Sequence, residues 1–334
     1  MRYLAWLFCA VTLVGVAARL MPASFSDLPF VPVIVALTPW FALTALAALG
    51  LAHWIGGNAR VVARTLMVVA LVLELVWQGP FLVPHVAERL AGSGTPQAAP
   101  ASSPTTLRVM TCNVYKGKAN PARIVELVRT ERVQVLALQE TTVDFVEALE
   151  RDGLGELLPH SSRASSDGVF GNGVWSSLPL TGMASDDIGS SASAMPAGTV
   201  MPVAGEAGVR IVSVHTCAPV PGYWSLWRGS VEEIGVVRDR ALANPDTRYV
   251  LMGDFNASYD HAPFREMLGS ILRDAARETG GGLTPTWPAD KAPLPALAAI
   301  DHVVLGPGVE ARDVATASVD GTDHLALVAT LELN

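Results

Sequence analysis

Hydrophobic residues are distributed unevenly along the chain, with long apolar stretches first and short ones afterwards. Three apolar segments, at 4–18, 30–52 and 61–77, fill most of the first 79 residues. A helix needs about 20 apolar residues to cross a bilayer. The pattern therefore predicts an N-terminal helical membrane region over residues 1–79 with about three transmembrane helices.

The first of these segments has two interpretations. With about 15 residues it is short for a transmembrane helix and is similar to the apolar core of a signal peptide. No small-x-small cleavage site followed by polar chain appears, because "RLMPASFSDLPF" leads into further apolar sequence. A retained membrane helix is the favoured interpretation.

The basic residues indicate an orientation. Arg2 lies before the first segment, and Arg60 and Arg64 lie between the second and the third. Cytoplasmic loops carry an excess of Lys and Arg, so three spans would place the rest of the chain on the outer face of the membrane. Arg19 and Arg89 lie on the other side and weaken this bias.

Residues 80–106 have a different composition. The stretch "AGSGTPQAAPASSPTT" contains Gly, Ser, Pro and Ala without an apolar period. This composition is typical of a flexible linker. A folded domain is then expected over residues 107–334.

Short apolar segments follow one another in this domain. Seven of them predict strands at 107–114, 133–138, 173–176, 209–214, 249–252, 300–305 and 325–331. Helical spacing follows Asn120-Pro121, recurs near 143–149 and extends over 227–242. Several strands succeed one another without a helix between them, which favours stacked sheets with outer helices, an α+β arrangement.

Charge and cysteines narrow the function classes. Four of the 23 basic and two of the 31 acidic residues lie in 1–79, so the remainder carries 19 and 29, a net charge of −10. An acidic domain argues against binding long nucleic acid, which depends on Lys and Arg contacts to phosphates. No C-x-x-C motif supports a zinc or thioredoxin-type site, and a Cys112–Cys217 disulfide stays open.

Polar residues stand where the predicted strands begin or end. Each alone has a structural explanation as a turn, a helix cap or a buried histidine. Placed at one edge of a pair of sheets, they would converge. They are Asn113, Glu140, His215, Asp254, Asn256, Asp301, His302, Asp323 and His324.

The order and context of these residues resemble one known family. The motifs are "VMTCNVY", "LALQE", "GNGVWSSLPL", "IVSVHT", "LMGDFNAS", "IDHVVL" and "GTDHLAL", which together extend over about 107–334. This series is similar to the endonuclease/exonuclease/phosphatase superfamily, which includes DNase I-like nucleases, sphingomyelinases and inositol phosphatases. The inositol-phosphatase run Trp-Cys-Asp-Arg is absent from the sequence.

The resemblance implies a four-layer α-β-β-α sandwich of the DNase I type and Mg²⁺- or Mn²⁺-dependent hydrolysis of phosphoesters. By position, Glu140 resembles the principal metal ligand, with Asn113 and Asp323 close to the metal. Asp254 resembles the acid that orients or deprotonates water, and Asn256 the amide that binds phosphate. His324 resembles the histidine that contacts the scissile phosphate, and Asp301 resembles the acid that fixes the ring of that histidine. His215 matches the second histidine of the DNase I and sphingomyelinase branches. His302, one position after Asp301 on a strand, is expected to point to the opposite face as a structural residue.

The arrangement of membrane helices, linker and domain resembles a bacterial subgroup of YafD-like and VanJ-type proteins, the latter linked to teicoplanin and other glycopeptide resistance. This implies the lipid bilayer as a partner and an undecaprenyl pyrophosphate-type cell-wall lipid as substrate. Anchoring raises the local concentration of an enzyme at a membrane-held substrate. A nuclease or sphingomyelinase-like phosphodiesterase is the alternative, and an inactive binding or sensor module is a third hypothesis.

Overall fold

Four helices form most of the first 83 residues in the computed structural model of the protein. The structure describes residues 1–83, 105–164, 167–203, 205 and 207–334. The four helices are α1 (Arg2–Leu20), α2 (Val31–Ala36), α3 (Phe41–Leu51) and α4 (Gly57–Leu82). Short 3₁₀ turns at Ala23–Phe25, Thr38–Trp40 and Ala52–Trp54 lie between them.

The second apolar segment does not form the single helix that its length predicts. It is divided between α2 and α3 by the turn Thr38–Trp40, in which Pro39 follows Thr38 directly. Proline has no backbone N–H and disfavours helical backbone in the residue before it, so the helix ends here. Each piece is then too short to cross a bilayer.

Only α1, among the described helices, has the length and composition to cross a membrane, where three were predicted. The third predicted segment lies within α4, which carries Arg60, Arg64 and Glu74 along its length. The prediction of three spans is therefore not supported. Residues 80–82 continue α4 and 105–106 begin a strand, while residues 84–104 of the predicted linker lie outside the described residues.

The remaining described residues form twelve strands and seven helices. The strands are β1 (Thr105–Asn113), β2 (Val135–Gln139), β3 (His160–Arg163), β4 (Asn172–Ser176), β5 (Thr181–Ala184), β6 (Ala197–Val200), β7 (Val209–His215), β8 (Arg248–Asp254), β9 (Arg273–Asp274), β10 (Asp301–Leu305), β11 (Val309–Ala317) and β12 (Ala326–Leu333). The helices are α5 (Pro121–Thr130), α6 (Val143–Arg151), α7 (Leu154–Leu157), α8 (Trp224–Glu233), α9 (Gly235–Ala243), α10 (Ala262–Leu268) and α11 (Ala275–Thr279).

These strands form two six-stranded sheets that pack face to face. The first has the order β11-β12-β1-β2-β4-β3 and the second the order β5-β6-β7-β8-β10-β9. One apolar core lies between the sheets, and two others lie between each sheet and its outer helices. In β1, for example, Val109 faces the other sheet and Met110 faces the outer helices. The predicted four-layer α-β-β-α sandwich is thus confirmed.

The helical region packs against the outer layer of the second sheet. Asp260 lies at the centre of this contact, where it accepts hydrogen bonds from Arg19 Nε at 2.6 Å and from Gln78 Nε2 at 3.0 Å. At a second point, the Trp40 indole N–H donates to the carbonyl of Leu297 at 2.8 Å. The helices are therefore docked on the domain that the two sheets form.

We expect the substitution Asp260→Ala to destabilise this docking. The side chains of Arg19 and Asp260 are 9% and 6% exposed, so the substitution leaves a buried guanidinium without its carboxylate. Removing one partner of a buried ion pair costs about 3–5 kcal/mol. Chemical denaturation of the full chain in detergent measures the loss. The exposed pair Arg151–Glu147 supplies the control, because Arg151→Ala should cost about 1 kcal/mol or less; equal effects of the two variants would contradict the prediction.

His261 makes this contact dependent on pH. Its Nδ1 accepts the N–H of Ser258 at 2.8 Å, so the proton is on Nε2, which donates to the carbonyl of Pro32 at 2.8 Å. Burial lowers the pKa of the His261 imidazole to about 4, below its usual value of 6.5. Between pH 6.5 and 4 the unfolded chain therefore binds a proton that the folded chain excludes.

The stability due to the neutral ring should be fully present above pH 6.5 and should be lost as pH falls towards 4. The full effect is about 3 kcal/mol. The measurement is the difference in unfolding free energy between the wild type and His261→Gln across this window, which cancels the other titrating groups. A difference that does not change with pH would refute the prediction, and the exposed His53→Gln variant is the control.

Candidate active site

Strand direction in the first sheet places four predicted residues at one edge. β1 and β2 are parallel, with Asn113 opposite Gln139, so Asn113 and the next residue after β2, Glu140, leave the sheet at the same edge. β12 is antiparallel to β1, so the chain enters β12 at this edge. Asp323 and His324 lie two to three residues before the start of β12 and are therefore there too.

The second sheet brings its residues to the same place. β7 and β8 are parallel, with His215 opposite Asp254 at their carboxyl ends. β10 is antiparallel to β8, and its first residue, Asp301, is paired with Asp254. The ends of strands from both sheets thus form one site, and the structure brings all eight predicted site residues to it or next to it.

Asn113 links the two sheets at the site. Its amide nitrogen donates to Glu140 Oε1 at 3.1 Å and to Asp254 Oδ2 at 3.0 Å. Its amide oxygen accepts the N–H of Tyr115 at 2.9 Å. Asn113 therefore acts as a donor that holds two acids together, and its predicted contact with a metal stays a prediction.

Asp254 is buried at the centre of the site. Its Oδ1 accepts the backbone N–H of Asn256 at 2.8 Å, and its Oδ2 accepts the amide of Asn113. Burial raises the pKa of the Asp254 carboxyl above its ordinary value, although His324, His215 and the Asn113 hydrogen bond act in the opposite direction. A raised pKa suits a group that accepts a proton near neutral pH.

Asn256 has a backbone φ of +47°, in the left-handed region that asparagine tolerates better than most residues. Its side-chain amide donates to the carbonyl of Thr216 at 3.1 Å. An amide carries two N–H groups, so a second one is left to serve a phosphate oxygen. The predicted role of Asn256 is compatible with this position.

His324 and Asp301 form a buried pair. His324 Nδ1 lies 2.8 Å from Asp301 Oδ2, and His324 Nε2 lies 3.7 Å from Asp254 Oδ2. Burial works against a charged ring, but Asp301, Asp254 and Asp323 outweigh it and raise the pKa of His324 to about 10. The ring is thus a charged donor at neutral pH, as its predicted role on the scissile phosphate requires.

Glu140 is held in an uncommon conformation. Its φ is +59°, and its Oε2 is buried with no hydrogen-bond partner among the described residues. His215 Nε2 lies 3.9 Å from both Glu140 Oε1 and Asp254 Oδ2. A backbone outlier and an unsatisfied buried carboxylate oxygen are costly and tend to occur at functional sites.

The unsatisfied oxygens fit a divalent cation. Besides Glu140 Oε2, the buried Oδ1 atoms of Asp301 and Asp323 have no hydrogen-bond partner in the part of the chain that the structure describes. Mg²⁺ and Mn²⁺ prefer carboxylate oxygens as ligands. The site therefore has the chemistry for the predicted metal.

One group of possible ligand atoms in the described residues differs from the predicted metal set. Atoms of Asp254, Asp301 and His324 lie within 4.8 Å of one another. Within this group, His324 Nδ1 lies 2.8 Å from Asp301 Oδ2 and His324 Nε2 lies 3.7 Å from Asp254 Oδ2, so the ring bridges the two carboxylates. We therefore interpret this group as a hydrogen-bonding network and keep Glu140 and Asp323 as the groups that would hold a metal.

A polar network beneath the site escaped the sequence analysis. Gln139 Nε2 donates to Ser213 Oγ at 3.0 Å, and Asn172 Nδ2 donates to the carbonyl of Ser213 at 3.1 Å, so the network joins the two sheets. Asn172 lies in the motif "GNGVWSSLPL", which was the available signal. The hydroxyl of Thr322, which donates to the carbonyl of Asn113 at 2.7 Å, lies in the motif "GTDHLAL" and had the same signal.

Trp287 was also missed. Its indole N–H donates to Asp323 Oδ2 at 3.2 Å, so the loop between α11 and β10 forms one wall of the site. By contrast, His302 points away from the site, to the face of β10 opposite Asp301, as predicted: it is buried with its ring nitrogens on Asp274 and the carbonyl of Ala257. Cys112 and Cys217 are both free thiols, so they form no disulfide.

Comparison with known proteins gives one family match. A sequence profile described as the "Endonuclease/Exonuclease/phosphatase family" matches residues 110–324. No curated protein sequence matches the chain significantly.

Several solved structures share the fold. A humanised D. rerio TDP2 carrying 14 mutations is 16% identical, with a TM-score of 0.56, covering 68% of this chain and 99% of that chain. An endonuclease/exonuclease/phosphatase from Beutenbergia cavernae is 20% identical, with a TM-score of 0.52 over 69% and 72% of the two chains. A family protein from Bacteroides thetaiotaomicron is 14% identical, with a TM-score of 0.52 over 70% and 100%.

Proposed function

The chain belongs to the endonuclease/exonuclease/phosphatase family, which hydrolyses phosphoester bonds, and from that premise we propose that it is a metal-dependent hydrolase of a membrane-held lipid phosphate or pyrophosphate. The observation that carries the chemistry is the meeting of Asn113, Glu140, Asp254 and the His324–Asp301 pair at one edge of the two sheets. An inactive binding module would not require a full set of acids and charged donors.

The residues divide the reaction between them. A bound Mg²⁺ or Mn²⁺ supplies positive charge that offsets the charge of the phosphate oxygens. Each oxygen of Asp254 accepts one hydrogen bond from the protein and can accept another, so the carboxylate can orient a water and take its proton. The charged ring of His324 lies beside it and donates to phosphate oxygens as negative charge develops.

Exposed apolar surface supports a lipid substrate. Of the large apolar side chains that are exposed in the described residues, most lie in the first 83, among them one row on α4: Val61, Val62, Val68, Val69, Val72, Leu75 and Val76. Soluble monomers rarely expose contiguous apolar surface on this scale. The helical region therefore supports attachment to a bilayer.

The loop between α11 and β10 connects this region to the site. Near its start, the N–H of Gly282 donates to the carbonyl of Phe81 in α4 at 2.7 Å. In its middle, Trp287 contacts Asp323 at the site, and Leu283 and Leu294 expose apolar side chains. A substrate with a phosphate head and an apolar chain could therefore place the head in the site while its chain contacts the apolar side chains of the loop and the helical region.

A substrate panel tests the proposal. The full chain in detergent with Mg²⁺ is given undecaprenyl pyrophosphate, sphingomyelin and plasmid DNA, and product release is measured for each. We expect turnover of the lipid pyrophosphate, and its loss in Glu140→Gln. Turnover of DNA alone would establish the nuclease alternative, and turnover of sphingomyelin alone the phosphodiesterase alternative. Failure with all three, together with a lack of Mn²⁺ binding, would favour the binding module.

We also propose that the catalytic domain lies outside the bacterial plasma membrane and that the reaction affects teicoplanin tolerance. Both statements rest on the sequence resemblance, because the charge bias that predicted the orientation assumed three spans and only α1 among the described helices is long and apolar enough to be one. A reporter enzyme that is active on one side of the membrane only, fused after Thr106, tests the first. Growth inhibition by teicoplanin with and without the intact gene tests the second.

A further inference from the structure

The lysines of this chain are few and are placed together. The sequence contains three, Lys116, Lys118 and Lys291, and its other 20 basic residues are arginines. All three side chains are exposed. They lie on two loops, the one between β1 and α5 and the one between α11 and β10, and both loops border the candidate active site.

The first loop is fixed in an unusual conformation next to Asn113. Three successive residues, Tyr115, Lys116 and Gly117, have φ values of 48°, 55° and 69°, in the left-handed region. The N–H of Tyr115 is bound by Asn113 Oδ1, and Lys118 Nζ lies 4.2 Å from the centre of the Tyr115 ring. The cost of this backbone is of order 1–3 kcal/mol for each non-glycine residue, which indicates a functional constraint.

The second loop, which carries Lys291, contacts Asp323 at two points. The N–H of Ala289 donates to the carbonyl of Asp323 at 2.7 Å, and Trp287 binds the Asp323 carboxylate. Lys291 Nζ lies 2.6 Å from Asp290 Oδ2. The hydrogen bond to Asp290 raises the pKa of the Lys291 ammonium, and the carboxylate of Asp323 acts in the same direction.

Lysine and arginine serve different purposes in this protein. Arginines form the buried or half-buried ion pairs that hold the fold together, such as Arg19–Asp260 and Arg210–Asp187. An ammonium on a flexible stem is a hydrated point charge that suits contact with a mobile phosphate. Residues 80–334 carry a net charge of −10, so three positive groups on the loops beside an acidic site run against the overall charge of the domain.

We propose that Lys116, Lys118 and Lys291 form a lysine rim that binds a second phosphate group, adjacent to the one being hydrolysed. The proposal rests on the proposed function and narrows it to pyrophosphate esters. Hydrolysis of such an ester consumes one water, breaks the P–O–P bridge and leaves a phosphate monoester and inorganic phosphate. The rim gives the site a preference for this bond over a diester that carries a single phosphate.

The kinetic test compares two substrates. Farnesyl pyrophosphate carries two phosphates, and bis(4-nitrophenyl) phosphate carries one. In the triple variant Lys116→Gln, Lys118→Gln, Lys291→Gln, we expect the ratio of kcat/KM for the pyrophosphate to kcat/KM for the diester to fall about tenfold or more, mainly through KM. The triple Lys→Arg variant should restore most of the ratio.

A matched variant controls for net charge. Arg129→Gln, Arg151→Gln and Arg312→Gln together remove the same charge from exposed positions on α5, α6 and β11. This variant should keep the wild-type ratio. A ratio that is unchanged in the lysine variant, or that falls equally in the arginine variant, would overturn the proposal.

A labelling experiment separates the rim from the chemistry. Lysine amines are acetylated in the full-length protein with Mg²⁺, and the modification is mapped by mass spectrometry. Imidodiphosphate, a pyrophosphate analogue that is not hydrolysed, should protect the three lysines more than inorganic phosphate does, while labelling of the N-terminal amine stays unchanged. Equal protection by both anions, or none, would overturn the rim even in an active enzyme. Protection without turnover of either ester would keep the rim and reject the proposed function.

Discussion

Replacing Glu140 by glutamine is expected to lower kcat for phosphoester hydrolysis about a thousandfold, corresponding to about 4 kcal/mol of transition-state stabilisation. Glu140 presents a buried Oε2 with no hydrogen-bond partner among the described residues, and it is held at a φ of +59°. Such an oxygen is explained by a cation that the amide of glutamine binds poorly. The fall in kcat should therefore be accompanied by a weaker affinity for Mn²⁺, measured by electron paramagnetic resonance.

Glutamine has nearly the shape of glutamate, so the fold should be retained. The circular dichroism spectrum and the melting temperature of Glu140→Gln serve as the check. Glu147→Gln, at an exposed position of α6, is the matched control and should keep both activity and Mn²⁺ affinity. If Glu140→Gln bound Mn²⁺ as the wild type does, Glu140 would not be the principal metal ligand.

Removal of the imidazole in His324→Ala is expected to lower kcat about 10²–10³-fold, the usual cost of losing a donor to a developing oxyanion. The pKa of about 10 keeps the ring charged, and Nε2 lies 3.7 Å from Asp254 Oδ2, beside the space for the scissile phosphate. Asp301 acts through the ring, since its Oδ2 lies 2.8 Å from His324 Nδ1. Asp301→Asn should therefore cost less than His324→Ala.

The double variant distinguishes a shared role from separate ones. If Asp301 acts only through His324, adding Asp301→Asn to His324→Ala should lower kcat little further. His160→Gln is the control, because His160 lies on β3, away from the site. Multiplication of the two single effects in the double variant would show that Asp301 has an independent function.

The strands that build the site could be predicted from the sequence because they are apolar on both faces. β1, β2, β7, β8, β10 and β12 have buried residues along nearly their whole length. β3, with the sequence HSSR, and β5, with the sequence TGMA, are short strands at sheet edges and largely lack this pattern. Their pairing depends on neighbours that are distant in sequence, so local pattern could not reveal them.

The helical region shows a different limit of sequence patterns. Apolar residues predict burial, but not whether the surface that buries them is lipid or protein. In α4, Ala63, Met67, Ala70 and Phe81 are buried while Val72 and Val76 are exposed, so its two faces serve different surroundings. The ion pair between Arg19 and Asp260 joins residues 241 positions apart and has no local signal.

Site residues that lie at the ends of strands could be predicted from the sequence, whereas those that lie on loops could not. Parallel and antiparallel pairing carries Asn113, Asp254 and Asp301 to one edge, as strand-end positions suggested. Trp287 reaches Asp323 from a loop with no apolar period. The direction of the Asn113 amide, with its nitrogen towards the two acids, follows from packing that the sequence does not encode locally.

The central claim is that the acids and histidines at this edge form a metal-dependent phosphoester hydrolase. Its most direct test is phosphate release from a lipid pyrophosphate by the purified full chain with Mg²⁺, with EDTA, and in the Glu140→Gln variant. We expect release by the wild type that stops on chelation, returns when Mg²⁺ is restored, and is about a thousandfold slower in the variant. Release that continues in EDTA, or at the wild-type rate in Glu140→Gln, would contradict the claim.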